Sequence, residues 1–278
     1  MSKKELIRKK ALRHIRRERS VLEYVSHPFV VGLLHAFITE AKVYLVLEYC
    51  SGGDLHQHLM AADHSRFPEP QARFYTAELV LALEYLHELG VIYRDLKPEN
   101  VLLDSVGHVR LADFGLCRAG VQDDAAATSF CGSPAYLSPE MVSRNGHGQA
   151  TDWWGLGVLL YEMLTGDPPF QGRDIEGLFA EIKESEVILA SHTKVSPEAL
   201  ALIKGLLTKD SNKRLKASEC KTHAFFKNHT PPLHTAEDWT KLFNRECTPP
   251  FVPLDEDGED AGGSEGGDKA KKPGCVVM

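Results

Sequence analysis

Residues 91–100 decide how the chain is interpreted, and they read Val91-Ile92-Tyr93-Arg94-Asp95-Leu96-Lys97-Pro98-Glu99-Asn100. Asp113-Phe114-Gly115 follows 18 residues after Asp95, and Ser138-Pro139-Glu140 comes later in the chain. The first two segments bring together a carboxylate, a lysine, an amide and a second carboxylate. Phosphoryl transfer uses this set: one carboxylate accepts a hydroxyl proton, a cation lies near the transferred phosphate, and an amide and a carboxylate hold Mg²⁺.

The order and spacing of these segments resemble the signature of eukaryotic protein kinases, in which His-Arg-Asp and Asn are followed by Asp-Phe-Gly and Ala-Pro-Glu. This chain has Tyr93 in place of the histidine and Ser138 in place of the alanine. Residues 18–22 and 27–29, with the sequences Glu-Arg-Ser-Val-Leu and His-Pro-Phe, are similar to the AGC group of these kinases. The resemblance implies an α+β, bilobal protein kinase-like fold with a mainly helical large lobe, and an enzyme that phosphorylates protein serine and threonine.

The resemblance also implies a role for each polar residue of the two segments. Asp95 would accept the proton of the substrate hydroxyl, and Lys97 would stabilise the transferred phosphoryl oxygens. Asn100 and Asp113 would hold Mg²⁺ against the phosphates of ATP, so that ATP and Mg²⁺ are the expected cofactors.

The segment from Glu48 to Asp54 contains two adjacent glycines, which suit a backbone that bends close to a ligand, although an ordinary turn is the alternative. By resemblance this segment is the hinge between the two lobes. Glu48 and Cys50 would then face the adenine of ATP, and Asp54 would face the ribose hydroxyls. Leu102 completes the nucleotide site that the resemblance implies.

The regulatory and substrate-binding positions are likewise implied by the resemblance. Ser129 would be the activation-loop phosphosite, with Thr128 as the alternative acceptor and Arg94 as the buried partner of the phosphate. An upstream activating kinase is therefore a possible partner.

Three residues match positions that contact the protein substrate: Glu99, Ser133 and Glu162. Ser133 would lie beside the target hydroxyl, and the two glutamates would receive basic side chains. For Glu162 a solvated carboxylate is the alternative. We therefore expect protein substrates that carry Arg or Lys upstream of the target Ser or Thr.

The N-terminal segment is strongly basic, since nine of the first nineteen residues are Lys or Arg. A solvated helix face and a membrane or nucleic-acid patch are both open as explanations. Four residues of the segment follow helical spacing: Ile15, Glu18, Leu22 and Val25. Glu18 thus falls on the apolar side of a helix, where a carboxylate is costly unless a cation pairs with it.

In the kinase family the glutamate that matches Glu18 is a regulatory residue, because it pairs with a lysine that grips the phosphates. No Gly-x-Gly-x-x-Gly precedes Glu18 in this sequence, so we predict a small lobe that lacks the glycine-rich loop, the first strands and that lysine. Lys3 or Lys4 could replace the lysine. Two explanations are open: the sequence starts at an internal methionine of a longer kinase, or the protein is short and binds nucleotide poorly.

Composition limits the classes of protein that the chain can represent. A net charge of −7 argues against a nucleic-acid partner. Six cysteines without Cys-x-x-Cys spacing argue against zinc sites and a disulfide scaffold, and they suit a reducing cytosol. No run is apolar enough to span a membrane, and no signal peptide is evident, so a cytoplasmic protein is expected.

Four segments are predicted: a partial small lobe (1–48), a large lobe with the catalytic and activation loops (49–228), an AGC-type extension (229–254) and a disordered acidic and glycine-rich linker with its tail (255–278). Periodicity predicts strands at 30–37 and 42–48 and a helix at 69–90, and helical segments are expected near 174–184, 197–208 and 217–226. The resemblance implies that 150–166 is the buried central helix of the large lobe. By resemblance, Asp152 braces the catalytic loop and Glu140 pairs with Arg214.

The last four residues, Cys275-Val276-Val277-Met278, fit a farnesylation signal, with a chance apolar terminus as the alternative. Cys275 would be the lipidated residue, and farnesyltransferase would be a partner. Lys269, Lys271 and Lys272 could supply the second signal that stable anchoring needs, so we expect the protein on the cytoplasmic face of a membrane. The competing function is a catalytically silent, membrane-tethered binding or scaffold protein.

Overall fold

The computed structural model describes residues 18–39, 42–119, 132–189, 194–251, 253–254 and 275–277. These residues form a small lobe built on a β-sheet and a larger, mainly helical lobe, which is the bilobal architecture expected from the sequence. The helices are α1 (18–22), α2 (Leu55–Ala61), α3 (Glu69–Glu88), α4 (Pro139–Ser143), α5 (Ala150–Thr165), α6 (Ile175–Glu184), α7 (Pro197–Leu206), α8 (Ala217–Thr222), α9 (Ala224–Lys227) and α10 (Ala236–Phe243).

The small lobe consists of α1 and an antiparallel sheet. Strands β1 (Leu33–Ile38) and β2 (Val43–Glu48) form a hairpin with an irregularity near its open end, between Leu33 and His35. The sequence of β2 predicts an alternating strand, but residues 45–47 at its centre are all buried. Leu45 and Leu47 join the same hydrophobic core as Val21 and Leu22 of α1.

The large lobe is organised by two long helices, α3 and α5. Proline at the first turn of α3 is compatible with a helix start, and Gly90 follows its end with a φ of +68°, a left-handed value that glycine tolerates. Almost every residue of α5 is buried, which marks it as a central core helix. Helix α3 lies where the periodicity predicts it, and α5 lies where the resemblance implies the central helix of the large lobe.

Four short strands connect the lobes and bracket the catalytic segment. Strand β3 (Val91–Ile92) pairs with β6 (Arg118–Ala119), and β4 (Val101–Leu103) pairs with β5 (Val109–Leu111). Leu111 accepts a hydrogen bond from the Val31 amide at 3.0 Å and donates one to the Phe29 carbonyl at 2.9 Å, so β5 is attached directly to the small lobe.

A buried ion pair fixes α4 against the large lobe. The guanidinium of Arg214, whose side chain is 0% exposed, donates to both carboxylate oxygens of Glu140 at 2.6 and 2.9 Å and to the Ala150 carbonyl at 2.7 Å. Burial alone would raise the pKa of Glu140, but the hydrogen bonds and the charge of Arg214 outweigh it and lower that pKa. The predicted pairing of these two residues is confirmed.

Two predicted elements differ from the structure. The single helix expected at 217–226 is two helices, because the chain leaves helical geometry at His223 and the side chain of that residue caps α9 by accepting from the Phe225 amide. The strand expected at 30–37 starts only at Leu33, because Val30 forms an isolated bridge with Leu111 of β5.

Three residues of the C-terminal tail join the sheet of the small lobe. Residues Cys275–Val277 form strand β7, which pairs antiparallel with β2 in the register Glu48 with Cys275 and Val46 with Val277. An open strand edge presents unpaired backbone groups that an extended segment can satisfy. Residues 255–274 lie outside the described residues. No helix among the described parts of the chain is both long and apolar enough to cross a membrane.

Candidate active site

The catalytic segment is held in place by one carboxylate of the central helix. Asp152 on α5 accepts hydrogen bonds from the backbone amides of Tyr93 at 2.9 Å and Arg94 at 2.7 Å, and its Oδ2 contacts Nε2 of His87 at 2.7 Å. Arg94 has a left-handed φ of +70°, a strained value that persists only where the surroundings enforce it. The predicted bracing role of Asp152 is confirmed by these contacts.

Asp95 is buried and held by its neighbours in the loop. Its Oδ2 accepts a hydrogen bond from Nδ2 of Asn100 at 2.9 Å and lies 3.2 Å from Nζ of Lys97. The same Asn100 nitrogen also donates to the backbone carbonyl of Asp95 at 2.8 Å. Three residues that the sequence assigned to chemistry are therefore in direct contact.

Asp113 lies at the turn that follows β5. Its φ is +55°, its side chain is exposed, and its Oδ1 accepts from the Gly115 amide at 3.1 Å. The neighbouring Phe114 is buried and packs edge-on against the ring of Tyr93, with centroids 5.4 Å apart. The buried ring anchors the turn and leaves the carboxylate free to face the cleft.

A cleft of about 420 Å³ lies between the lobes and joins these residues to the hinge. Its lining residues are Glu18, Val31, Val43, Leu45, Leu47, Glu48, Tyr49, Cys50, Glu99, Asn100, Leu102, Ala112 and Asp113. An apolar cavity with a few convergent polar groups is the usual form of a small-molecule site. The expected nucleotide residues Glu48, Cys50 and Leu102 line it together with both expected metal ligands.

The adjacent glycines of the hinge have a physical reason. The amide of Gly52 donates to the Leu103 carbonyl at 2.9 Å, and a Cβ added at Gly52 would lie 2.6 Å from the Asp104 carbonyl oxygen. Only glycine permits this close approach of the hinge to β4. Burial raises the pKa of the Cys50 thiol to about 11, so this cleft residue is a neutral thiol at pH 7.

Asp54, expected at the ribose, does not line the cleft. Its side chain instead caps α2 by accepting a hydrogen bond from the Gln57 amide at 2.9 Å. A carboxylate that begins a helix is a favourable cap, and this local role explains its position. Its part in ribose binding stays a prediction.

Glu18 projects from α1 into the cleft and is 8% exposed. Burial, followed by the charge of Asp113, raises the pKa of the Glu18 carboxyl from 4.5 to about 7. The ion pairs found within the described part of the chain do not include Glu18. Lys3 and Lys4, the lysines that could replace the expected partner, lie outside the described residues.

The regulatory residues are described only in part. The guanidinium of Arg94 donates through Nε to the Leu116 carbonyl at 2.8 Å and lies 3.5 Å from Nε2 of His147. The expected phosphosite Ser129 and its alternative Thr128 lie outside the described residues, so their role stays a prediction.

The expected substrate residues lie at different places: Glu99 lines the cleft, Ser133 lies near Leu96 of the catalytic loop, and Glu162 is on α5. Burial raises the pKa of Glu162, and the nearby charges of Glu99 and Asp167 raise it further, although the hydrogen bond from the Tyr136 hydroxyl opposes the rise. Ser133 follows Gly132, where an added Cβ would lie 3.6 Å from Oδ1 of Asp95. Sequence patterns did not point to Tyr136, because its contact with Glu162 joins residues 26 positions apart.

Comparison with known proteins agrees with this geometry. Residues 1–226 match the protein kinase domain family. This chain belongs to that family. Since the match covers most of the chain, the expected protein kinase fold and the membership of the protein kinase family are both confirmed.

Curated relatives of this kinase domain include several AGC kinases. The chain is 43% identical over 263 residues to Protein kinase 2 of Dictyostelium discoideum, covering 94% of this chain and 52% of that protein. It is 45% identical over 258 residues to human serine/threonine-protein kinase Sgk2, covering 91% of this chain and 67% of that protein. It is 44% identical over 252 residues to ribosomal protein S6 kinase beta of Caenorhabditis elegans, covering 89% of this chain and 44% of that protein. The chain thus spans about half the length of two of these relatives.

The raised pKa of Glu18 predicts that the stability of the kinase domain depends on pH. Between about pH 4.5 and pH 7 the unfolded chain releases a proton that the folded protein retains, so wild type loses stability as the pH rises. Glu18→Gln does not ionise. The free energy of unfolding of Glu18→Gln minus that of wild type should therefore increase by about 3 kcal/mol at most between pH 5 and pH 8. Urea unfolding at the two pH values measures this difference.

Glu23→Gln is the matched control, because Glu23 is exposed beside α1 and forms a surface pair with Arg19. The effect of Glu23→Gln on the free energy of unfolding should change by less than about 0.5 kcal/mol over the same pH range. An equal effect of Glu18→Gln at both pH values would show that a cation holds Glu18 ionised, and the prediction would be wrong.

Proposed function

We propose that this chain is a protein serine/threonine kinase, which transfers the γ-phosphoryl group of ATP to serine or threonine residues of proteins. The observation that carries the proposal is the contact of Asp95 with Asn100 and Lys97 beside the cleft that Asp113 lines. The printed names of the relatives, among them serine/threonine-protein kinase Sgk2, support the substrate class.

The geometry supports Asp95 as the acceptor of the substrate proton. Within the described part of the chain, the side-chain hydrogen bond and the ion pair of Asp95 both use Oδ2. Oδ1 is left to accept the proton of a hydroxyl that attacks the γ-phosphorus, as the bond from that phosphorus to the leaving oxygen of ADP breaks. Lys97 stabilises the charge that develops on the transferred oxygens.

Asn100 and Asp113 fit a magnesium ion. Nδ2 of Asn100 is engaged by Asp95, which leaves the amide oxygen as a ligand, and the Asp113 carboxylate is exposed to the cleft. No group of three or more His, Cys, Asp or Glu side chains among the described residues could hold a metal. Magnesium suits two such oxygen ligands, because it retains waters and takes its other ligands from phosphates, whose charge it neutralises when bound.

A preference for basic substrates follows from the charges beside the loop. Glu162 is half-buried, and the neighbouring carboxylates of Glu99 and Asp167 raise its pKa, so the three acids repel one another. A cation relieves this repulsion, and a guanidinium can also hydrogen-bond two carboxylate oxygens at once. We therefore assign substrates with Arg or Lys upstream of the target residue.

The C-terminal Cys275 supports a further proposal about location. The last four residues fit a farnesylation signal, and three lysines precede them, so the tail has the two signals that peripheral membrane binding requires. We assign the protein to the cytoplasmic face of a membrane.

Asp95→Asn tests the proposed reaction. Loss of the proton acceptor should lower kcat for a peptide substrate by about 10²- to 10⁴-fold with little change in KM for ATP, because general-base catalysis contributes that much. Phosphate transfer from labelled ATP measures both constants. Asp63→Asn is the control, because the Asp63 side chain is exposed and away from the cleft.

Equal rates for wild type and Asp95→Asn would reject the proposed mechanism. If the wild-type chain transferred no phosphate and bound ADP weakly or not at all, the silent scaffold would be favoured instead.

Glu162→Gln tests the substrate preference. The ratio of kcat/KM for a peptide with an upstream Arg to that for its Ala counterpart should fall about tenfold, which is the worth of one strong charge-assisted contact. Glu176→Gln removes an exposed carboxylate of α6 and should leave the ratio unchanged. A ratio that is near one for wild type would disprove the basic preference.

Cys275→Ser tests the lipid anchor. The variant should lose the mass of one farnesyl group and move from the membrane to the supernatant fraction, because neither the lysines nor one chain anchors stably alone. Mass spectrometry and fractionation of cells that express the full chain measure both effects. Equal membrane fractions for wild type and variant would contradict the proposal.

A further inference from the structure

The C-terminal extension reaches the hinge through a chain of charged side chains. After α10 the backbone turns at Arg245, which has a left-handed φ of +62°. The Nη2 atom of this residue donates to Oδ2 of Asp104 in the turn between β4 and β5. Within the described residues the buried Nε of Arg245 has no hydrogen-bond partner, so its hold on Asp104 is through Nη2.

Asp104 organises the turn as well as binding the extension. Its Oδ1 accepts from the backbone amides of Val106, Gly107 and His108 at 3.0 to 3.2 Å. A Cβ added at Gly107 would lie 2.1 Å from the Cβ of Phe251, so the extension packs directly on this turn. The turn is thus clamped between its own carboxylate and two residues of the extension.

The next cation, Arg110 of β5, is shared between two carboxylates. Its Nε lies 3.7 Å from Oδ2 of Asp104, and its Nη1 lies 3.3 Å from Oε2 of Glu48. Glu48 ends β2 at the hinge and lines the cleft, and its Oε2 also accepts from the Gly32 amide at 3.1 Å. Arg110 therefore links the large lobe to the start of the hinge.

The contacts of Asp104 and Glu48 are connected because both carboxylates bind Arg110. Arg245 neutralises Asp104, which is only 14% exposed and needs a cation. With Asp104 bound in this way, Arg110 makes only a long contact with it, at 3.7 Å, and keeps its contact with Glu48 at 3.3 Å. Without Arg245, the nearest remaining cation for Asp104 is Arg110, and its movement toward Asp104 would release the hinge carboxylate.

We propose that Arg245 is a positioning residue for the nucleotide site. By neutralising Asp104, it allows Arg110, which Asp104 and Glu48 share, to keep the contact that orients Glu48. The inference rests on the proposed function of the cleft as an adenine-nucleotide site. It assigns the C-terminal extension a direct effect on nucleotide affinity, transmitted by charge pairs from Arg245 to the hinge.

Three variants of the full chain test this relay. Arg245→Met should weaken ADP binding about fivefold, as neighbouring members of one charge network usually couple. Arg245→Met combined with Asp104→Asn should restore the affinity to within about twofold, because a neutral Asp104 no longer competes for Arg110 and still accepts from the turn amides. Lys241→Met is the control, since the one ion pair of Lys241 among the described residues is with exposed Glu237 on the same helix.

Two measurements separate the relay from the function of the cleft. Calorimetric titration with ADP measures the affinity, and hydrogen exchange of the Gly32 amide reports on the Glu48 contact without any nucleotide. The Gly32 exchange rate should rise in Arg245→Met and return toward wild type in the double variant. Neutralising Asp104 would also remove the cost of its unpaired charge, so the recovery of the Gly32 exchange rate, which reports on the Glu48 contact, is the result that marks the relay.

Failure of the double variant to recover, or an Arg245→Met variant that behaves like Lys241→Met in both measurements, would overturn the relay. Absence of ADP binding by wild type would reject the proposed function, and with it the effect on affinity. In that case the Gly32 exchange still decides whether Arg245 controls the hinge carboxylate.

Discussion

The structure depends on a single carboxylate, that of Asp152, which joins the central helix to the catalytic segment. A buried carboxylate is costly unless its oxygens accept hydrogen bonds, and Asp152 accepts from two backbone amides and contacts His87. Because α5 is buried on nearly every side, this carboxylate is a fixed reference point. The left-handed backbone at Arg94, and hence the direction of Asp95, follows from it.

Several acidic groups lie in or beside the cleft, and they differ in their partners and in their burial. Asp95 is balanced by Lys97 and Asn100, whereas Asp113 remains exposed and accepts from an amide of its own turn. Glu18 is buried near Asp113, and its raised pKa shows that ionisation there is unfavourable. Such a cleft favours the binding of cations, which agrees with the proposed magnesium-dependent chemistry.

Sequence patterns predicted the elements whose residues repeat with the period of the structure. The helix α3 and the strand β2 were found in this way, although residues 45–47 of β2 are all buried, whereas the central helix α5 was expected from the resemblance. The break at His223 was missed, since the apolar spacing continues through it while a side-chain cap interrupts the helix. Asp54 shows the same limit, because a carboxylate can cap a helix or bind a ligand from the same position in the sequence.

The sequence by itself determined the chemistry of the site, because the order and spacing of Asp95, Lys97, Asn100 and Asp113 identify the family without any coordinates. Only the tertiary structure decided how these groups are held and regulated. Arg245, Asp104, Arg110 and Glu48 lie in separate segments of the chain, so their charge relay has no sequence pattern of its own. Contacts of this kind depend on distances in space, so the periodicity of a single element does not predict them.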